Sequence, residues 1–135
     1  IIKKYPSSKV YAIDILDMEP IDGVTFFKDS IENLYNLEEI LELKGCFKLV
    51  ISDIAPNLSG ISAVDSENIF NLNMITVKIA NDFLDSSGSM IIKTFQNSNL
   101  RTLRKNMELS FKLVQTYKPA ASKKQSGEIY LYGVK

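Results

Sequence analysis

The 135-residue chain contains no histidine, no tryptophan and a single cysteine, Cys46. The absence of histidine excludes catalytic triads, metal sites and general bases that depend on an imidazole. One cysteine supports neither an internal disulfide framework nor a multi-cysteine zinc site. No apolar run reaches the ~18–20 residues that a membrane-spanning helix needs, and no signal-peptide pattern is present. Any chemistry therefore depends on Asp, Glu, Lys, Ser or Tyr side chains.

Glycine and proline are also scarce, with six and four residues, while 45% of the chain is hydrophobic and 24% is charged. This composition is typical of a folded globular protein, and the length fits one domain or part of one. The chain opens with Ile1 and soon enters a strand-like run, so we expect it to be a piece of a longer protein.

The net charge of zero conceals a strong segregation of charge along the chain. Residues 10–85 contain fourteen acidic and four basic side chains, whereas residues 86–135 contain two acidic and nine basic ones. Such asymmetry indicates a polyanionic partner for the C-terminal part. The alternative is an ordinary lysine-rich surface in contact with water.

The hydrophobic pattern alternates between strands and helices. A capping box at Asp29 and Glu32 predicts one helix, which ends near Gly45, and Ser66 is the predicted N-cap of a longer second helix. A third helix carries Leu100, Leu103 and Met107. The predicted strands cover residues 10–15, 24–27, 47–51, 89–94, 111–117 and 129–134. This order predicts an α/β protein with a mostly parallel sheet, whose last two strands form an antiparallel hairpin at one end.

Four acidic side chains stand near strand ends, where ligands bind in open α/β sheets. Asp14, Asp29 and Asp53 follow predicted strands, and Glu128 precedes the last one. Each has a structural alternative: Asp14 could stabilise a turn, Asp29 could only cap its helix, and Asp53 could bind backbone in the loop of Pro56 and Asn57. Glu128 could pair with Lys123 or Lys124.

Lys93 lies inside the apolar run MIIKTF. A lysine in a buried strand costs free energy unless it is paired or its pKa falls. The pattern therefore favours an ion pair or a catalytic role with Asp53 or Glu128. The structural alternative is a lysine on an edge strand whose ammonium group reaches water.

Four motifs in order carry a resemblance to a known family. They are VYAIDILDMEPIDGVTFFKDSI (10–31), SDIAPNLSG (52–60), GSMIIKTFQ (88–96) and KPAASKKQSGEIYLYG (118–133). Together they resemble the FtsJ/RlmE family of S-adenosylmethionine-dependent RNA ribose 2′-O-methyltransferases. The ending is closer to the branch that acts on large-subunit rRNA than to the tRNA branch.

The resemblance implies a Rossmann-like methyltransferase fold and a role for each candidate residue. Asp53, Lys93 and Glu128 match the last three members of the family's Lys-Asp-Lys-Glu catalytic set. Asp14 matches the acid that holds the cofactor ribose, Asp29 the one near adenine, and Asp53 also lies near the methionine moiety. Lys93 would act as the base or as the cation that steers the 2′-oxygen.

Three family features are absent from this sequence: the first catalytic lysine, the glycine-rich cofactor loop and the first strand. In the family that strand lies between the strands at 10–15 and 47–51. We therefore expect residues 1–135 to form a single methyltransferase domain that is incomplete at its N-terminus.

The resemblance further implies S-adenosylmethionine as cofactor and a uridine of large-subunit rRNA as substrate, with no metal and no membrane. We expect a monomer inside the cell, cytoplasmic or, in a eukaryote, mitochondrial or nuclear. The alternatives are a tRNA methyltransferase, a non-catalytic RNA-binding module and, more remotely, a nicotinamide-dependent oxidoreductase. The residues expected to face RNA are Arg101, Arg104, Lys105, Lys118, Lys123 and Lys124.

Overall fold

The computed structural model describes residues 1, 3–57, 59–118 and 127–135. The chain divides into two compact units, Ile1–Glu42 and Leu43–Lys135. Each unit has its own sheet.

The first unit contains two parallel strands, β1 (Val10–Asp14) and β2 (Val24–Lys28). Their register pairs Val10 with Val24 and Asp14 with Lys28. Because the strands are parallel, both carboxyl ends lie at the same edge of this sheet. Both strands were predicted from the sequence.

The predicted helix after β2 is broken into two pieces. A 3-10 helix covers Ile31–Asn36, and a single α-helical turn, α1, covers Glu38–Leu41. The N-cap is Ser30 and not Asp29, since the Ser30 hydroxyl accepts from the Glu32 amide at 3.3 Å. Leu37 has extended backbone angles, which separate the two pieces.

The second unit contains four strands, β3 (Phe47–Ser52), β4 (Leu84–Phe95), β5 (Leu113–Tyr117) and β6 (Glu128–Val134). Their order in the sheet is β3-β4-β6-β5. β3 and β4 are parallel, and β6 is antiparallel to both β4 and β5. The α/β fold with a C-terminal antiparallel hairpin is therefore confirmed.

Two helices, α2 (Ser62–Phe83) and α3 (Leu100–Glu108), cover one face of this sheet. Met90 and Ile92 of β4 are fully buried beneath them, whereas Ile91 and Lys93, which alternate with them, are only half-buried. The core cluster consists of Val77, Ala80, Leu84, Met90, Ile92, Leu103, Met107, Phe111, Val114 and Leu131. The opposite face of the sheet is less covered by the described residues.

Two boundaries differ from the sequence prediction. α2 begins at Ser62, four residues before the predicted cap Ser66, and its own N-cap, Ile61, offers no side-chain hydrogen bond. β4 includes Ser86 to Gly88, which the sequence predicted as a helix stop. The β3–β4 register is irregular there, and a Cβ at Gly88 would lie 3.1 Å from the Phe47 carbonyl oxygen. The backbone of β3 thus comes so close to Gly88 that a residue with a side chain would not fit there without a shift.

Candidate active site

The register of the second sheet brings three of the candidate residues to one edge. Ser52 of β3 pairs with Ile92 of β4, so Asp53 follows beside Lys93. On the other side of β4, Lys93 pairs with Tyr130 and Phe95 pairs with Glu128. Lys93 and Glu128 are therefore diagonal neighbours on the same face of the sheet.

Lys93 lies on a central strand, since β4 is flanked by β3 and β6. The alternative of a lysine on an edge strand is therefore wrong. The side chain is half-buried on the open face, while Ile92 and Thr94 beside it in sequence are 0% and 3% exposed on the covered face. Among the described residues, Lys93 forms no ion pair with Asp53, which is exposed.

A buried hydrogen bond fixes the end of β4 next to Lys93. The Asn73 side-chain amide of α2 donates to the Thr94 hydroxyl at 2.9 Å, and Asn73 is only 1% exposed. Sequence reasoning missed both Asn73 and the buried Thr76, whose hydroxyl donates to the Leu72 carbonyl. The Asn73–Thr94 hydrogen bond therefore connects α2 to β4 next to the candidate site.

The loop after Asp53 is held by Asp65, in the first turn of α2. Its carboxylate accepts from the Ser59 amide and hydroxyl, both at 2.7 Å, and from the Gly60 amide at 3.1 Å. The Ser59 hydroxyl, followed by these backbone amides, holds the pKa of Asp65 below its ordinary value. Sequence reasoning missed Asp65, although an acid shortly after Ser59 and Gly60 was the available signal.

In the first unit, Asp14 and Asp29 lie at the same edge of the two-stranded sheet. The Asp29 amide donates to the Asp14 carbonyl at 3.0 Å. Asp14 Oδ1 accepts from the Leu16 amide at 2.9 Å, which stabilises the turn after β1. Asp29 Oδ1 accepts from the Ser30 amide and the Asn33 side chain. In each carboxylate the described hydrogen bonds use one oxygen, so the other can accept from a ligand.

The basic residues expected to face RNA have different surroundings. Each of the three guanidinium nitrogens of Arg104 donates within the protein, to Glu108, Thr116 and the Val114 carbonyl. Arg101 and Lys105, one turn apart on α3, are exposed, as is Lys118. Lys123 and Lys124, and with them the suggested pairing to Glu128, lie outside the described residues.

The structure also forms a groove that the sequence did not predict. We call it the groove beside Lys93, because Tyr130, the β6 partner of Lys93, lines it, although Lys93 itself does not. Its volume is about 800 Å³. Several lining residues belong to β4, β5 and β6, on the open face of the sheet. The lining consists of Ile91, Arg104, Val114, Gln115, Thr116, Tyr117, Tyr130 and Tyr132.

Residues 1, 3–57, 59–118 and 127–135 contain no cluster of three or more potential metal ligands among His, Cys, Asp and Glu. In the same ranges, no helix is long and apolar enough to cross a membrane.

Comparison with known proteins identifies the family. The model of the FtsJ-like methyltransferases matches residues 1–135. The chain belongs to this family. It is 41% identical over 128 residues to the ribosomal RNA large subunit methyltransferase E of Chromobacterium violaceum, covering 93% of this chain and 62% of that protein. The enzyme of the same name from Buchnera aphidicola is 38% identical over 133 residues, with 96% and 64% covered. The FtsJ-like chain thus spans about three fifths of the length of these curated relatives.

Solved structures show the same methyltransferase fold. A Plasmodium falciparum protein that is named as a ribosomal RNA methyltransferase superimposes with a TM-score of 0.82 at 27% identity, covering 98% of this chain and 76% of that one. A Streptococcus mutans protein that is named as a methyltransferase, solved in complex with SAH, gives a TM-score of 0.57 at 16% identity, over 93% and 70% of the two chains. The second likeness concerns the fold alone.

Proposed function

We propose that this FtsJ-like chain is the methyltransferase part of an enzyme that methylates a ribose 2′-hydroxyl, on a uridine of large-subunit rRNA. The observation that carries the proposal is the convergence of Asp53, Lys93 and Glu128 at one edge of the second sheet. The names of the curated relatives support large-subunit rRNA as the substrate.

The chain's acids suit S-adenosylmethionine as cofactor. Asp14 and Asp29 each have a carboxylate oxygen available to accept from hydroxyl or amino groups, and Asp53 is exposed at the end of β3. We assign Asp14 to the cofactor ribose, Asp29 to the adenine side, and Asp53 to the methionine moiety. When bound, the cofactor supplies an electrophilic methyl group on a sulfonium centre.

The chain's own contribution to the reaction is positioning and proton handling. Lys93 reaches the 2′-oxygen of the RNA ribose, as the base that takes its proton or as the cation that stabilises its developing negative charge. Asp53 orients the Lys93 ammonium, and Glu128 holds the lysine and the ribose. Holding both reactants at near-attack distance supplies much of the rate enhancement.

We also propose that a further strand pairs with the open edge of β3, from outside these 135 residues. Within the described residues β3 pairs only with β4, so its other edge is unpaired there, and the apolar side chains of Leu49 and Ile51 on this strand are 39% and 54% exposed. An exposed apolar edge of this kind is a template for another strand. The family resemblance implies that this strand is followed by the glycine-rich loop that binds the cofactor.

The test is a methyl-transfer assay with the full-length protein. Radiolabelled S-adenosylmethionine is incubated with large ribosomal subunits, free rRNA or tRNA, and the product is digested to nucleosides. Label in 2′-O-methyluridine from large-subunit rRNA is the expected result. Label in tRNA alone would contradict the rRNA assignment, and RNA binding with no transfer would favour the non-catalytic RNA-binding alternative.

A further inference from the structure

Three side chains form a straight row across the second sheet. Tyr117 of β5 pairs with Tyr130 of β6, which pairs with Lys93 of β4. Residues directly opposite each other in antiparallel pairs lie on the same face. Adjacent strands are about 4.8 Å apart, so the strand of Tyr117 lies roughly 10 Å from that of Lys93. The row leads from the candidate active site to the edge of the sheet.

Tyr117 differs from an ordinary surface tyrosine by its place in this row. It is 62% exposed at the carboxyl end of β5, the same edge where Asp53 and Lys93 lie. Tyr130 next to it is half-buried. A single exposed aromatic side chain is unremarkable elsewhere on a protein. Here the exposed tyrosine lies two strands away from Lys93, the residue assigned to the reacting ribose.

The groove beside Lys93 has the chemistry of a nucleobase site. Tyr117, Tyr130 and Tyr132 provide aromatic surface, and Gln115 provides an amide that both donates and accepts hydrogen bonds. Unpaired bases of RNA are recognised by stacking on aromatic side chains and by hydrogen bonds to their edges. The groove also lies in the basic part of the chain, where charge favours a polyanion.

We propose that Tyr117 is a stacking platform for an unpaired RNA base that flanks the methylated nucleotide, with Tyr130 completing the aromatic surface. The proposal rests on the proposed function, since it assumes that the target ribose lies at Lys93. Stacking engages the ring face and neutralises no phosphate. Tyr117 therefore contributes affinity without contributing to the salt dependence of binding.

The experiment measures the affinity of the full-length protein for single-stranded oligouridylate across a salt series. Tyr117→Ala is expected to weaken binding roughly 5- to 150-fold at every salt concentration, with the slope of log K against log salt unchanged. Tyr117→Phe, which keeps the ring, is expected to bind like the wild type. Tyr5→Ala is the matched control, since Tyr5 is a similarly exposed tyrosine (55%) in the first unit.

A second readout compares the tryptophan fluorescence of Tyr117→Trp with that of the wild type, since residues 1–135 themselves contain no tryptophan. Tyr117→Trp places an indole on the platform, and its fluorescence is expected to be quenched when oligouridylate binds. No quenching would overturn the stacking geometry. Wild-type affinity of Tyr117→Ala, a flattened salt slope, or a Tyr117→Phe as weak as Tyr117→Ala would overturn it as well.

Failure of this proposal is distinguishable from failure of the proposed function. If the wild type methylates RNA and Tyr117→Ala binds oligouridylate equally well, only the platform is wrong. If Tyr117→Ala instead changes the oligomeric state with unchanged RNA affinity, the groove is occupied by protein, and the platform is again wrong. A wild type that binds no RNA at all would overturn both.

Discussion

Lys93 is the side chain on which the proposed reaction depends most directly, because no histidine is present in these 135 residues to act on the ribose hydroxyl. Its side chain lies on the open face of a central strand, at the edge of the sheet where Asp53 and Glu128 also lie. This position combines a rigid backbone with access for a substrate.

Lys93→Ala is expected to lower the single-turnover rate of methyl transfer by roughly 10²- to 10⁴-fold, because the base or the alkoxide-stabilising cation is lost. Affinity for S-adenosylmethionine should remain close to that of the wild type. Rapid quench with saturating cofactor and RNA measures the rate, and Lys9→Ala, at an exposed position of the first unit, is the control. A near-normal rate in Lys93→Ala would remove this lysine from the mechanism.

Asp14→Ala is expected to weaken S-adenosylmethionine binding by about 1.5–3 kcal/mol, the contribution of a charged acceptor to a hydroxyl pair. Calorimetry on the full-length protein measures the affinity. Asp22→Ala, which removes an exposed acid from the turn before β2, is the control. Unchanged affinity in Asp14→Ala would show that this carboxylate only stabilises the turn through the Leu16 amide.

At the scale of elements, the sequence predicted the six strands of the described residues, but it misplaced the start of the helical segment after β2 and the start of α2. The apolar runs are long enough to identify strands, and the candidate residues at their ends followed from that pattern. The sequence predicted Asp29 as an N-cap, but its carboxylate accepts from the Ser30 amide and the Asn33 side chain. The N-cap in the structure is Ser30. The buried Asn73–Thr94 pair was not predictable, because no local pattern indicates that two polar residues 21 positions apart will meet.

Thr94→Val is expected to destabilise the protein by about 1–3 kcal/mol, since it leaves the buried Asn73 amide without its partner. Replacing both residues, Asn73→Leu with Thr94→Val, should recover part of this loss because no polar group then remains unpaired. Urea unfolding followed by circular dichroism measures both free energies of unfolding. A double variant no more stable than Thr94→Val would contradict this account.

The link between α2 and the loop after β3 depends on the charge of Asp65. Because its folded pKa lies below the ordinary value, the charged form stabilises the loop at neutral pH. That stabilisation is complete above the ordinary carboxyl pKa of about 3.9 and is lost as pH falls through the depressed folded value. Asp65→Ala should therefore increase hydrogen exchange at the Ser59 and Gly60 amides at pH 7, whereas Glu67→Ala on the same helix should not. Equal protection in Asp65→Ala and the wild type would be the contrary result.

At the scale of the whole molecule, the sequence shows that acidic and basic residues are segregated along the chain, but it does not show which group each charged side chain contacts. Arg104 belongs to the basic part, yet its guanidinium is engaged by three acceptors of α3 and β5. The groove beside Lys93 depends on side chains from four elements, so it emerged only with the sheet register and helix packing. Composition thus predicted a polyanionic partner, whereas choosing among the candidate contact residues required the structure.

Arg101 and Lys105 are the described α3 residues best suited to bind RNA phosphates, because they are exposed one turn apart on a helix with a basic sequence. If each neutralises one phosphate, the double variant Arg101→Ala/Lys105→Ala should flatten the salt dependence of binding by about 1.4 for single-stranded RNA and about 1.8 for a duplex. Phosphate contacts do not read sequence, so affinity should fall equally for different RNAs. Filter binding across a salt series measures the slope, with Lys3→Ala/Lys4→Ala as a charge-matched control in the first unit. An unchanged slope would show that Arg101 and Lys105 are ordinary solvent-exposed charges. The basic residues of this helix would then have no role in RNA binding.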